Sequence, residues 1–183
     1  MKTVNKHILN HDSSIVAPEF DGYGHENSIV IENDQPFIVR MRPVDLINET
    51  IKYYGFSLSG AIEGSRSILG NINMPPIVVI PSSDTIWFPC KSHKHKDCVW
   101  LAHAQIADKE RVDIARTKVL FKQGHSLIID LSVNQFERRM QRAAELYLEQ
   151  IKRKTGRFQE FSMGFNILKD SGNRNYTVHR EES

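Results

Sequence analysis

The chain has 183 residues, 40% of them hydrophobic and 25% charged, with a formal net charge of only +2; this suits one soluble globular domain with room for a sizeable core. No apolar run approaches the roughly 18 residues that span a bilayer, and the N-terminus lacks the apolar stretch of a secretory signal, so a membrane role is excluded and a cytoplasmic address expected. The charge is uneven: net −4 over residues 1–36 and net +6 over residues 111–157, an asymmetry that suits either a polyanion partner or a solvated helix face.

The first 27 residues are polar and broken by Pro18, Gly22 and Gly24, which predicts a loosely ordered segment with a weak strand at Ser14 to Val16. Residues 28–32 and 36–41 are apolar runs separated by Asn33-Asp34-Gln35, the spacing and composition of a hairpin. Pro43 suits a first helical position, Val44, Ile47 and Ile51 recur at helical spacing, and Gly55 suits a left-handed stop. Glycines at 60, 64 and 70 interrupt the next stretch, where Leu58, Ile62 and Ile68-Leu69 fit a short helix. Prolines 75, 76, 81 and 89 bracket two clipped strands, 77–80 and 86–88, because proline donates nothing to a sheet ladder. Residues 99–107 alternate as one further strand. Residues 117–121 and 126–131 flank a four-residue, glycine-containing hairpin connection.

The clearest helix opens at Ser132, with Gln135 three residues on completing a capping-box pattern. Phe136, Met140, Ala143, Ala144, Tyr147, Leu148 and Ile151 mark its apolar stripe, and Lys152-Arg153-Lys154 suit the negative end of its dipole. The last 26 residues are polar with scattered aromatics, the composition of a flexible tail that orders only against a partner. The expected fold is therefore α+β: short, mainly antiparallel strands in a sheet or partial barrel, one helix inserted early, and a long C-terminal helix packed on the sheet.

Cys90, His93, His95 and Cys98 supply the ligand types of a structural zinc site. Their spacing argues for a solvated Lys/His loop instead, since four ligands within nine residues require a chain tightly wrapped around one ion. Two thiols this close in such a chain suit free cysteines better than a disulfide. There is no phosphate loop, no nucleophile beside a base and no carboxylate pair in a recognisable setting. His103, alone beside apolar residues, suits a hydrogen-bonded structural role better than that of a general base. No enzyme and no cofactor are expected. Phosphate-binding side chains are better supplied: Arg40, Arg42, Lys52, Arg66, Lys91, Lys94, Lys96 and Arg142, with Arg138 and Arg139 beside the last.

Between Ile29 and Ala144 the order of features resembles the ComK family of competence transcription factors. The residues that carry the resemblance are Met41-Arg42-Pro43, Tyr53-Tyr54-Gly55 and Ser57 with Gly60 and Gly64, then Pro75-Pro76-Ile77, Pro81 and Phe88-Pro89. Cys98-x-Trp100-Leu101-x-His103, Val119-x-Phe121-x-x-Gly124 and Ser132-x-Asn134-x-Phe136-Glu137 with Arg142 complete it. The resemblance implies a DNA-binding domain over residues 28–155 and a cytoplasmic activator of DNA-uptake genes. It also implies recognition of paired A·T-rich double-stranded boxes, largely through the minor groove, with self-association on DNA. An adaptor of an ATP-dependent protease is a further implied partner, with Gln159, Glu160 and Phe161 its expected contacts in the tail, residues 156–183. Departures at Ala61, Ile62 and Met74, where the family usually carries basic residues, leave an alternative: a DNA-incompetent paralogue acting through protein contacts.

Overall fold

The structure, a computed structural model, describes residues 1–83, 85–155, 165–169, 172 and 176–180. Strand β1 (Lys2–Val4) is followed by β2 (Ser13–Phe20), β3 (Glu26–Glu32) and β4 (Gln35–Val39), then by helices α1 (Pro43–Tyr53) and α2 (Leu58–Leu69). Strands β5 (Ile77–Ile80), β6 (Thr85–Pro89) and β7 (Trp100–Ala102) complete an open seven-stranded sheet of order β1-β4-β3-β2-β7-β6-β5. Only the β1–β4 pairing is parallel in that sheet. A second sheet, order β10-β9-β8, is built from β8 (Ile106–Arg111), β9 (Thr117–Phe121) and β10 (Ser126–Ile129), and the long helix α3 (Val133–Thr155) follows.

Side-chain alternation along the central strands creates two cores, one on each face of the large sheet. Val16, Val30, Trp87, Trp100 and Ala102 point to one face and meet Leu46, Ile47 and Ile51 of α1. Ile15, Ile86, Phe88 and Leu101 point to the other and meet Val119 and Phe121 of the second sheet and Phe136, Ala143 and Leu146 of α3. The fold is thus α+β with the C-terminal helix on the sheet, as expected; the open order makes it a layered sheet and no barrel.

Local chemistry explains most boundaries. Asn33 turns the β3–β4 hairpin with φ 53°, a conformation asparagine tolerates better than most residues. Gly55 adopts φ 85°, its N–H bonds Lys52 and that of Phe56 bonds Ile51, so α1 ends in a Schellman arrangement. Ser57 caps α2 by accepting from the Gly60 N–H at 3.1 Å. The capping box of α3 forms: Ser132 N–H donates to Gln135 Oε1 at 3.1 Å, and Gln135 N–H to Ser132 Oγ at 3.4 Å.

Three expectations are corrected. The first 27 residues, read as loosely ordered, contain β1 and β2, and β2 lies fourth of seven in the sheet, paired with β3 and β7. Ser14 to Val16 is only the part of β2 whose residues are all buried beside Ser13. The single strand read over 99–107 is two: a one-turn 3-10 helix at His103–Gln105 carries the chain from β7 in one sheet to β8 in the other. On α3, Leu146 is buried while Tyr147 and Leu148 are 39% and 56% exposed, because the stripe that packs against the sheet follows Phe136, Ala143 and Leu146. Beyond α3, β11 (Phe165–Lys169) and β12 (Tyr176–Arg180) form an antiparallel ladder pairing Ile167 with Val178.

Candidate nucleic-acid interface

The eight candidate phosphate contacts fall into two groups that differ in their acidic neighbours. Arg40, exposed after β4, lines a recess shared with Glu19, Asp21 and Glu26. Arg42, which precedes α1, donates from Nε and Nη2 to the two carboxylate oxygens of Asp45 at 2.6 and 3.0 Å, and that bond raises its pKa. Lys52 donates to Glu49 at 2.8 Å. These three cations are therefore partly compensated in place.

The second group gathers where α2 ends, the loop between β6 and β7 emerges and the first half of α3 passes. Arg66, in the last turn of α2, donates to the Ile72 carbonyl at 3.3 Å. Two residues on, Met74 offers its sulfur to Arg139 Nη2 at 3.7 Å, while Arg139 Nη1 donates to the Pro89 carbonyl at 2.9 Å. The loop springs from Cys90, whose N–H bonds the Val99 carbonyl at 2.8 Å. Burial, followed by the positive charges of Lys94 and Arg66, pulls His93 below its ordinary value. Burial likewise lowers Arg139, with Arg142 adding to the effect. Among the described residues, Arg66, Lys94, Lys96 and Arg142 make no ion pair. Positive charge that is not tied up in ion pairs is what a polyanion needs.

Lys91 belongs to this region by position but is tied across the loop to Asp97, with Asp130 4.0 Å away. By sequence Arg139 is one of several closely spaced arginines, Arg138, Arg139 and Arg142, on α3. Its actual role, holding Met74 and Pro89, depends on contacts 65 and 50 residues away, which no local pattern signals.

The Cys/His loop does not assemble as a metal centre. Among the described residues no three His, Cys, Asp or Glu side chains form a group able to hold an ion. Cys90 and Cys98 are buried free thiols, whereas His95 is exposed at the loop surface. Burial pushes Cys90 up to about 12 and Cys98 to about 11, and Cys98 Sγ donates to the Lys91 carbonyl at 3.3 Å. The cysteines thus anchor the loop's base as small apolar groups. His103 starts the 3-10 turn and is lowered by burial and then by Lys122. Gln159, Glu160 and Phe161, the expected adaptor contacts, lie outside the described residues.

Among the described residues, no helix is long and apolar enough to cross a membrane. No solved structure matches the chain. The chain is 28% identical over 153 residues to a competence transcription factor of Bacillus subtilis (strain 168), covering 82% of this chain and 79% of that protein. The model of the ComK family matches residues 4–155, both cores and the whole of α3 included. With β2 to β10, all three helices and the basic site inside that span, the chain belongs to the ComK family.

Proposed function

We propose that this protein is a cytoplasmic transcriptional regulator of competence genes that binds A·T-rich double-stranded DNA, largely through the minor groove. One observation carries the DNA half of the reading: among the described residues Arg66, Lys94, Lys96 and Arg142 make no ion pair, and Arg66 and Lys94 both bear on His93, in a chain similar to a competence transcription factor. Minor-groove recognition reads groove width and A·T content through inserted basic side chains, so it requires neither a recognition helix nor a strongly basic protein. The activity is binding; no catalytic step is assigned to any residue.

The departures from the family pattern bear on the same site. Ala61 and Ile62 pack against the first core, and Met74 is held by Arg139. Positive charge at the site is therefore supplied by Arg66 and the 91–96 loop. Self-association on DNA, and delivery to a protease by an adaptor that grips Gln159, Glu160 and Phe161, complete the reading on the strength of the family.

A gel-shift titration on a duplex carrying paired A·T boxes, repeated across a salt series, tests it. Binding preferred over a G·C-rich duplex and weakened steeply by salt is the expected result. No preference, or no salt dependence, transfers the role to the alternative, a DNA-incompetent relative that acts through protein contacts.

A further inference from the structure

The connection between β8 and β9 exposes isoleucine where nothing in the fold requires it. Ile114 is 90% exposed and Val112 41% exposed. The turn around them is firmly built. Asp113 Oδ1 accepts the N–H groups of Ala115 and Arg116 at 2.9 and 2.8 Å, Asp113 Oδ2 accepts Arg116 Nε at 2.7 Å, and Val112 N–H donates to the Arg116 carbonyl at 3.1 Å. An aspartate in this role locks the backbone, so Ile114 is presented at the apex of a stiff hairpin. It adds nothing to the core.

The charges along the hairpin say what kind of surface the apex meets. Arg111 is exposed and, among the described residues, makes no ion pair, whereas Arg116 pairs with Asp113, Lys118 with Glu110 and Lys109 with Glu137, so cations and acids alternate along the hairpin and Arg111 is its open positive charge. Lys109 reaches Glu137 at 3.2 Å, which fastens the hairpin beside the first turns of α3, the helix that carries Arg142. A second turn supplies an internal comparison. Tyr23, between β2 and β3, is also 90% exposed and also sits on an aspartate-locked turn, with Asp21 Oδ1 accepting from Tyr23 and His25 at 2.9 Å. The recess beside that turn is lined by Glu19, Asp21 and Glu26 together with His25 and Arg40. Of these two turns, the Ile114 hairpin is the one whose own strands carry an arginine without an ion pair among the described residues, Arg111.

We propose that Ile114 is a wedge that enters an A·T-rich minor groove and inserts between adjacent base pairs, with Arg111 on a flanking phosphate. Apolar side chains used in this way unstack one step and kink the duplex by roughly 20–90° toward the major groove, most cheaply at a flexible TA step. The inference rests on the DNA-binding reading above and adds to it a residue, a groove position and a deformation.

The test uses the full chain and an A·T-rich duplex with 2-aminopurine at a central TA step and fluorophores at its two ends. Wild-type protein should raise the 2-aminopurine emission and shorten the end-to-end distance. Ile114→Ser should abolish the emission rise, reduce the bend and weaken binding about ten-fold, while leaving the salt slope unchanged because no phosphate contact is removed. Thermal unfolding of Ile114→Ser should match wild type, since the side chain is exposed, and Tyr23→Ser should retain the full signal. An unchanged emission rise in Ile114→Ser, or an equal loss in Tyr23→Ser, overturns the wedge. Wild-type protein that prefers the A·T duplex without unstacking it also overturns the wedge and leaves the DNA-binding reading standing. Wild-type protein with no preference for that duplex overturns both.

Discussion

Arg139 on α3 donates from Nη1 to the carbonyl oxygen of Pro89, fastening the long helix to the final residue of β6, fifty positions earlier in the chain. Its Nε is buried without a hydrogen-bond partner, so the contact is made at some cost in desolvation. Arg139→Ala should lower stability by about 1–3 kcal/mol, as expected for losing a charged hydrogen bond at a partly buried carbonyl. Arg139→Lys should recover only part, because the planar fork that reaches both Pro89 and Met74 is gone. Urea denaturation checks this; full stability with weakened DNA binding would instead place Arg139 on the phosphates.

The two groups of cations should separate under mutation. Arg66→Ala, Lys94→Ala and Arg142→Ala are each expected to weaken DNA binding and to reduce the salt slope by about 1. Arg42→Ala and Lys52→Ala should do less, since Asp45 and Glu49 already occupy those charges. Equal losses at all five positions would extend the interface across α1.

Neighbouring leucines on α3 should behave oppositely. Leu146 is 1% exposed in the second core, and Leu146→Ala should cost about 2–4 kcal/mol through the cavity it leaves. Leu148 is 56% exposed, and Leu148→Ala should stay within about 0.5 kcal/mol of wild type. Thermal midpoints of the two variants decide the matter directly.

Gly64 lies inside α2 with nothing within 4 Å of an added Cβ and without a positive φ. Gly64→Ala should therefore stabilise by about 0.5–1 kcal/mol, through helix propensity and a less flexible unfolded chain. Gly60→Ala should not, because its Cβ would come within 3.1 Å of the capping Ser57 hydroxyl. A rise in thermal midpoint for Gly60→Ala would show the cap to be dispensable.

Burial raises both thiols above the ordinary 9.0, to about 12 for Cys90 and about 11 for Cys98. The unfolded chain ionises its thiols first as pH rises, so the folded state loses this contribution between about pH 9 and 12 and keeps it fully below pH 9. Urea midpoints should fall across that range more steeply than in a Cys90→Ala/Cys98→Ala double variant. Native protein at pH 8 should also resist a thiol reagent until denatured.

Punctuation made much of this fold readable in advance. Prolines at 76 and 81 bound β5 at the residues observed, and the Ser132–Gln135 box fixed the start of α3. Failures came where tertiary contacts outweigh local signals. Pro18 argued against a long strand, yet β7 pairs only with Ile15 and Val16, so Pro18 lies beyond the doubly paired part of β2. The short helix read through Leu58, Ile62 and Ile68-Leu69 does form in spite of its glycines, because Leu58, Ala61 and Ile62 pack on the first core and Ser57 caps the end. Residues 99–107 kept their alternation through the break because Leu101 before it and Ile106 after it face the same core. At the basic site, residue type was visible but pairing was not. Asp45, Glu49 and Asp97 decide which cations remain open, and only Asp45 and Glu49 sit at helical spacing from their partners.

The central position of β2 has a consequence for how the chain is made. During synthesis β2, β3 and β4 emerge first and pair as a meander, while the other edge of β2 waits for Trp100 and Leu101, more than eighty residues later. Until then the newborn chain carries an open strand edge rich in Ile15 and Val16, the kind of surface that pairs with the wrong neighbour. Removing the first twenty residues would therefore split the sheet instead of trimming an end.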